Sequence, residues 1–449
     1  MDFQELSLRA ASLTVYGKIQ DDEVFRAFQE LLQVLRNNDF EVLYRRYHLF
    51  CSLAVAHNWP KHLARLILED ENPFSRAAAQ GGRAALNPSL WALAVRDLQV
   101  CRSLGAIRSR ELKAAAAAQF PDIRAASLAP ESWPEWEQNG KGQQDAEEKW
   151  GPQQGSLPWY SDLYREALHS VILDTPEQSA DTLAKYHQRL GYGELGRYVA
   201  FRWRGEGQYL EGIAEPDPVR REHLIGLDRE LKLIAENTEY FLAGHAANNM
   251  ILYGNRGTGK SSAVKSLLDS YGQQGLRLVE LAKRDLGDFP KVVRLLSSRP
   301  QKFIIFVDDL SFDDTEPEYK ALKTVLEGGL EAKPANVLIY ATSNRRHLIR
   351  ENFSDRQGDE IHVRDTMEEK LSLADRFGIT VTFPSPDQEG YLNIVQGLAE
   401  QRGLQVDPAE LKRQALRWEM MHNGRSGRSA RQFIDYLAAS LASSAYSQG

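Results

Sequence analysis

The run Gly254-Asn255-Arg256-Gly257-Thr258-Gly259-Lys260-Ser261 carries the strongest chemical signal in this sequence. It fills the pattern G-x-x-x-x-G-K-[ST] at every position. Glycines let the backbone curl so that successive N–H groups point inward at phosphate oxygens. A helix starting at the end of the loop adds its positive pole. Lys260 supplies a point charge for the β- and γ-phosphates of a nucleotide such as ATP, and Ser261 a hydroxyl for Mg²⁺. The context fits as well. Met250-Ile251-Leu252-Tyr253 reads as the strand before the loop, and the residues from Ser262 to Leu268 read as the helix after it.

A second acidic signal follows. Phe303-Ile304-Ile305-Phe306-Val307 is an apolar run of the kind that forms a buried strand, and it ends in Asp308-Asp309. A carboxylate is needed there, beside the P-loop strand, to hold the magnesium shell, and Asp308 takes that role. Asp309 then orients or deprotonates the attacking water.

These residues need a scaffold. Apolar runs that read as buried strands occur at Asn249–Tyr253, Leu276–Leu281, Phe303–Val307, Val337–Ala341 and Ile379–Phe383, with helical stretches between them. Strands alternating with helices imply a parallel sheet covered on both faces. From Asp387 onward the pattern is helical, as expected of a C-terminal lid. The N-terminal part is helical too. In Asp21–Asn38, Val24, Phe25, Phe28, Leu31, Leu32 and Leu35 share one helix face, and Asp21 and Asp22 sit where a cap and first-turn acids belong. Ala92–Leu104, Arg110–Gln119 and Ser161–Leu173 read as further helices, and Tyr209–Ile213 as a strand.

The expected organisation is an N-terminal α-helical domain (1–126), a Pro- and Gly-containing linker (127–158), a mixed connecting region (159–222), a nucleotide-binding core (223–384) and a helical lid (385–449). The linker carries Trp133, Trp136 and Trp150. Such rings either anchor a partner or pin the loop to its own protein, and the second reading is preferred.

The order of P-loop, Asp-Asp, polar strand end and two arginines resembles the AAA+ ATPases. Within them it is most similar to a bacterial ATP-binding family, domain of unknown function 815. The resemblance covers about residues 160–449. It is carried by Asn237-Thr238 with Phe241, Gly254–Ser262, Asp308-Asp309-Leu310-Ser311-Phe312, Ala341-Thr342-Ser343-Asn344-Arg345-Arg346-His347, Leu373-Ala374-Asp375-Arg376-Phe377-Gly378 and Gly427-Arg428-Ser429-Ala430-Arg431. It implies an α/β fold: a P-loop AAA+ core with a parallel five-stranded sheet, a C-terminal helical lid and a separate, mainly α-helical N-terminal domain. By the same resemblance Asn344 is the sensor 1 amide, and Arg376 is an arginine finger reaching the γ-phosphate held by a neighbouring subunit. Arg428 is sensor 2, with Arg431 one turn later as the alternative, and Leu224-Ile225-Gly226 lines the adenine pocket. Ser262 closes the nucleotide-binding loop. These ATPases usually carry Asp-Glu after the acidic strand, whereas this chain has Asp308-Asp309. Aspartate is one methylene shorter, which points to slower hydrolysis.

The resemblance implies ATP and Mg²⁺ as ligands, a homo-oligomer, and remodelling of a protein client recognised by the N-terminal domain. A nucleotide-gated switch with little turnover is the alternative, and a nucleic-acid loader ranks third. Composition bears on that ranking. The 449 residues carry 55 Lys and Arg against 62 Asp and Glu, a net charge of −7, without the broad basic surface of a constitutive nucleic-acid binder. A mild basic patch remains in Arg402–Arg431, where seven basic residues face three acids. Cys51 and Cys101 have no metal-ligand spacing and read as buried thiols. No secretory leader and no run of about 18 apolar residues is present, so a cytosolic protein with no membrane partner is expected.

Overall fold

A computed structural model describes residues 3–35, 39–123, 125, 127–137, 158–311, 322, 323, 326, 334–344, 376–422 and 424–446. The chain divides into two units, Met1–Tyr198 and Val199–Gly449.

The first unit is built from helices: α1 (Phe3–Ala11), α2 (Glu23–Val34), α3 (Phe40–His57), α4 (Trp59–Glu69), α5 (Pro73–Gly81), α6 (Pro88–Gly105), α7 (Ser109–Gln119), α8 (Pro158–Leu173), α9 (Pro176–Leu190) and α10 (Glu194–Arg197). Helix α2 forms for the expected reasons. Asp22 caps it by accepting the Phe25 N–H at 2.9 Å, and Val24, Phe25, Phe28, Leu31 and Leu32 are buried. The core is aromatic, with Phe28 packed on Trp59 at 4.7 Å between ring centres. Both cysteines are buried and unbonded.

Trp133 and Trp136 belong to this core. Trp133 packs on Tyr47 at 4.7 Å and Trp136 on Phe50 at 5.2 Å, while the Tyr47 hydroxyl donates to the Pro134 carbonyl at 2.7 Å. Both indoles are buried, so this stretch is pinned by its own rings and presents no free aromatic anchor. Trp150 lies outside the described residues.

His187 on α9 is fully buried, its Nδ1 2.9 Å from the Gly191 carbonyl. Burial pulls its pKa down to about 4, against the opposing pull of that carbonyl. An unfolded histidine titrates near ~6.5, so between the two values the unfolded chain binds more protons. The stabilisation is therefore full above ~6.5 and is lost as pH falls toward the folded value. Wild type should lose about 2 kcal/mol more than His187→Gln between pH ~8 and ~5. Urea unfolding followed by tryptophan fluorescence checks this, and equal pH slopes for the two proteins would refute it.

The second unit begins with a sheet. Its strands are β1 (Ala200–Arg204), β2 (Tyr209–Gly212), β3 (Met250–Gly254), β4 (Leu276–Glu280), β5 (Lys302–Val307), β6 (Val337–Ser343) and β7 (Ile379–Phe383). The order is β2-β1-β4-β5-β6-β3-β7, parallel except for β2. Five strands match the apolar runs of the sequence. The sheet differs from the expected five strands by the β1–β2 hairpin, which joins the edge at β4. It draws residues 200–212 into the sheet, although the sequence reading started the core at 223. In β1 buried Phe201 and Trp203 alternate with Arg202 and Arg204, a two-faced edge pattern too short to stand out. The arginines pair with Glu280 and Glu211, at 2.8 and 2.6 Å.

A second difference matters more for chemistry. Asp308 was expected beside the P-loop strand, but β6 lies between β5 and β3. The end of β6 is thereby inserted between the P-loop and the acidic strand. Helix α11 (Asp228–Leu242) is locked to this layer through Asn237 and Thr238, each 2.9 Å from the buried Tyr340 hydroxyl.

After β7 come α12 (Gln388–Gln401), α13 (Pro408–Met421) and α14 (Gly427–Tyr446). Asp387 caps the first of them at the Gly390 N–H (2.8 Å), and Asp407 the second at the Glu410 N–H (3.0 Å). Tyr391, Val395, Ala415, Phe433 and Ile434 form their shared core. Among the described residues no helix is long and apolar enough to cross a membrane.

Candidate active site

The phosphate loop turns sharply out of β3. A side chain at Gly254 would place Cβ 2.2 Å from the Phe383 carbonyl oxygen, and at Gly259 (φ 97°) it would meet Leu227 at 2.9 Å. Glycine is the residue both positions accept. A helix (Lys260–Lys265) follows at once and breaks at Ser266 before Leu267–Tyr271.

Lys260 is buried under the loop. Its Nζ donates to the carbonyls of Gly254 and Asn255, both at 2.8 Å, and to Asn344 Oδ1 at 3.0 Å. Burial lowers its pKa below the ordinary lysine value; Asp308 and Asp309 oppose the shift, and Arg428 and Arg256 add to it. Ser261 Oγ donates to Asp308 Oδ1 at 2.7 Å. Thr342 Oγ1 donates to the same carboxylate oxygen and accepts the Asp309 N–H at 2.9 Å. Asn344 Nδ2 donates to Asp309 Oδ1. One polar network thus joins the loop lysine, the serine, both carboxylates and the end of β6.

Asp309 has φ 53°, in the left-handed region. Aspartate and asparagine enter that region far more readily than longer side chains, because their short polar groups bond locally. This gives a physical reason for aspartate where glutamate is usual.

The cleft in front of this network has a volume of about 690 Å³, within the range of small-ligand pockets. Its polar end is formed by Gly257–Ser262, Asp308, Asp309 and Asn344, and its apolar end by Leu224, Ile225, Ile394 and Leu398. Ile225 also packs against the core of the three C-terminal helices. The first turn of α14 closes the cleft. The Arg428 N–H donates to the Gly257 carbonyl at 3.3 Å, and Ser426 and Ser429 cap the helix on each other at 3.1 and 3.0 Å. Arg428 and Arg431 both line the cleft.

Most residues singled out in the sequence therefore converge. Gly254 and Asn255 contribute carbonyls to Lys260 and do not line the cleft; the Asn255 amide donates to Ser385 at 2.7 Å, tying the loop to the segment after β7. Arg376 stands apart. It precedes β7, whose first residue pairs with Met250 and whose last pairs with Gly254. It lies at the opposite end of the sheet from the P-loop, a strand length or about 15 Å away. Thr342 falls within the motif Ala341–His347, but the motif does not reveal its role. The available signal was spacing, since Thr342 lies two residues before Asn344, which follows the strand directly.

Three of the seven basic residues in the patch on the C-terminal helices are held in ion pairs. Arg402 pairs with Asp435, Arg413 with Glu410, and Arg425 with Glu419.

The parallel order β4-β5-β6-β3-β7, the loop after β3, the carboxylates after β5, the amide after β6 and the helical lid define an AAA+ P-loop core. The family described as "Protein of unknown function (DUF815)" matches residues 196–441, and the chain belongs to it. No curated protein matches the chain. Among solved structures, the RuvB Holliday junction branch migration motor of Thermotoga maritima is similar at 14% identity and a TM-score of 0.34, over 49% of this chain and 63% of that one. A variant of the same motor matches at 15% identity and a TM-score of 0.34, over 49% and 64%. The chain thus spans less than two-thirds of these relatives, and a likeness at this level says nothing about reaction or partner.

Proposed function

We propose that this protein is a Mg²⁺-dependent ATPase that hydrolyses ATP to ADP and phosphate between subunits of a homo-oligomer. The observation that carries the reading is the network joining Lys260, Asn344 and Asp309 around the phosphate loop. The donor set fits the ligands. A serine hydroxyl and a carboxylate converge at 2.7 Å, as an oxygen-preferring divalent cation requires, and Ser261 and Asp308 would hold it. Bound there, Mg²⁺ would neutralise charge on the phosphate oxygens. Lys260 exchanges its protein partners for the β- and γ-phosphates, which frees Asn344 Oδ1 to accept a hydrogen bond. Asp309 and Asn344 then orient the water, with Asp309 accepting its proton. Arg428 or Arg431 contacts the phosphates from the lid, and Ile225 lines the adenine pocket. Arg376 lies too far from its own cleft and serves the neighbour's. The first unit is the part available to recognise a protein client, and ATP-driven remodelling of that client is the proposed output. A cytosolic setting goes with this reading.

The switch reading has one observation in its favour: Asp309 is short and already held by Asn344. A loader acting on nucleic acid draws little support from a patch in which three of six arginines are paired and two line the cleft. Phosphate release together with light scattering, with and without ATP and Mg²⁺, separates the readings. The proposal expects turnover and a nucleotide-dependent increase in mass. Binding without turnover favours the switch.

A further inference from the structure

The carboxylate pair at the end of β5 is steered from the neighbouring strand. We infer that Thr342 is the positioning residue that sets both Asp308 and Asp309, an assignment that rests on the ATPase reading. Its one hydroxyl serves in two directions. As donor to Asp308 Oδ1 it fixes the rotamer of the carboxylate that also meets Ser261. As acceptor of the Asp309 N–H at 2.9 Å it holds the peptide that enters the left-handed conformation at φ 53°. The Thr342 carbonyl takes the Leu310 N–H at 2.7 Å, so the chain is tied on both sides of Asp309. Thr342 is 1% exposed and sits in the wall of the cleft. Two residues further along, just past the end of the strand, Asn344 holds the tip of the Asp309 side chain. Thr342 fixes where that side chain starts, and Asn344 where it ends. The insertion of β6 between β5 and β3 places a single strand within reach of both the acids and the phosphate loop.

The test compares Thr342→Val, which keeps the shape and removes the hydroxyl, with Thr342→Ser, which restores it, in the full-length protein. Thermal melts confirm folding. The valine variant should lose about 10- to 100-fold in kcat with KM for ATP within about twofold of wild type, since misplacing a reacting group chiefly affects the chemical step. The Mg²⁺ concentration that half-saturates binding of a fluorescent ATP analogue should rise. In a crystal structure Asp309 should leave the left-handed region. Serine should restore all of these. A valine variant with unchanged kcat, unchanged Mg²⁺ half-saturation and Asp309 still left-handed overturns the assignment. If wild type and Lys260→Ala release phosphate at the same rate, it is the ATPase reading that fails. The Mg²⁺ dependence and the backbone at Asp309 then still decide the role of Thr342.

Discussion

Arg376→Ala is expected to lower ATP turnover by roughly 1000-fold while leaving nucleotide affinity within about twofold of wild type. The asymmetry follows from position. Arg376 sits before β7, at the end of the sheet away from the phosphate loop, and does not line the cleft of its own chain. Removing it leaves every group that touches the bound nucleotide from that chain in place. A charge supplied from a neighbour acts where negative charge develops in the transition state. Steady-state phosphate release and equilibrium titration with a fluorescent ATP analogue measure the two halves. Mixing adds a sharper test. An Arg376→Ala subunit retains Lys260, and a Lys260→Ala subunit retains Arg376, so mixed oligomers contain complete sites and should recover part of the activity. Wild-type turnover in Arg376→Ala, or no recovery on mixing, rules out delivery from a neighbour.

Lys260→Ala is expected to fail at the earlier step. Losing a charged donor to the phosphates should weaken ATP binding by about 10- to 100-fold, and turnover should fall by about 100- to 1000-fold. The loop carbonyls of Gly254 and Asn255 and the Asn344 amide lose their common partner as well. The rise in melting temperature that saturating ATP gives wild type should therefore disappear. Differential scanning fluorimetry over an ATP titration reads this directly. A variant that keeps the full thermal shift would remove Lys260 from the nucleotide site. Together the two variants divide binding from chemistry: one loses both, the other only the second.

Much of this site was legible in the sequence because its spacing is strict. A loop that must wrap phosphates permits few residue types, and an apolar run ending in acids has few other uses. Five strands announced themselves as buried runs. Their order did not. Sequence gives the succession of β3, β5 and β6, but only long-range pairing puts β6 between the other two. Asp308 was thus expected beside the loop strand, and the strand at Val337–Ala341 was recognised without its place between them. Thr342 escaped notice for a local reason: a threonine inside a strand reads as an ordinary β-branched residue until its hydroxyl partners are seen. The backbone at Asp309 was hidden because a left-handed φ leaves no periodic trace, although aspartate is among the residues that enter that region more readily. Trp133 and Trp136 carried both possibilities in sequence, and burial against Tyr47 and Phe50 decided between them.

The lid is seated on the phosphate loop through main-chain atoms, from the Arg428 N–H to the Gly257 carbonyl. Any residue except proline can make that bond. The latch and the charge at position 428 are therefore separable traits. Drift at this codon would leave that main-chain contact intact while removing the charge that the guanidinium brings to the cleft. A descendant with a neutral residue there would keep the helix seated on the loop but lose a positive charge lining the cleft, by a single exchange.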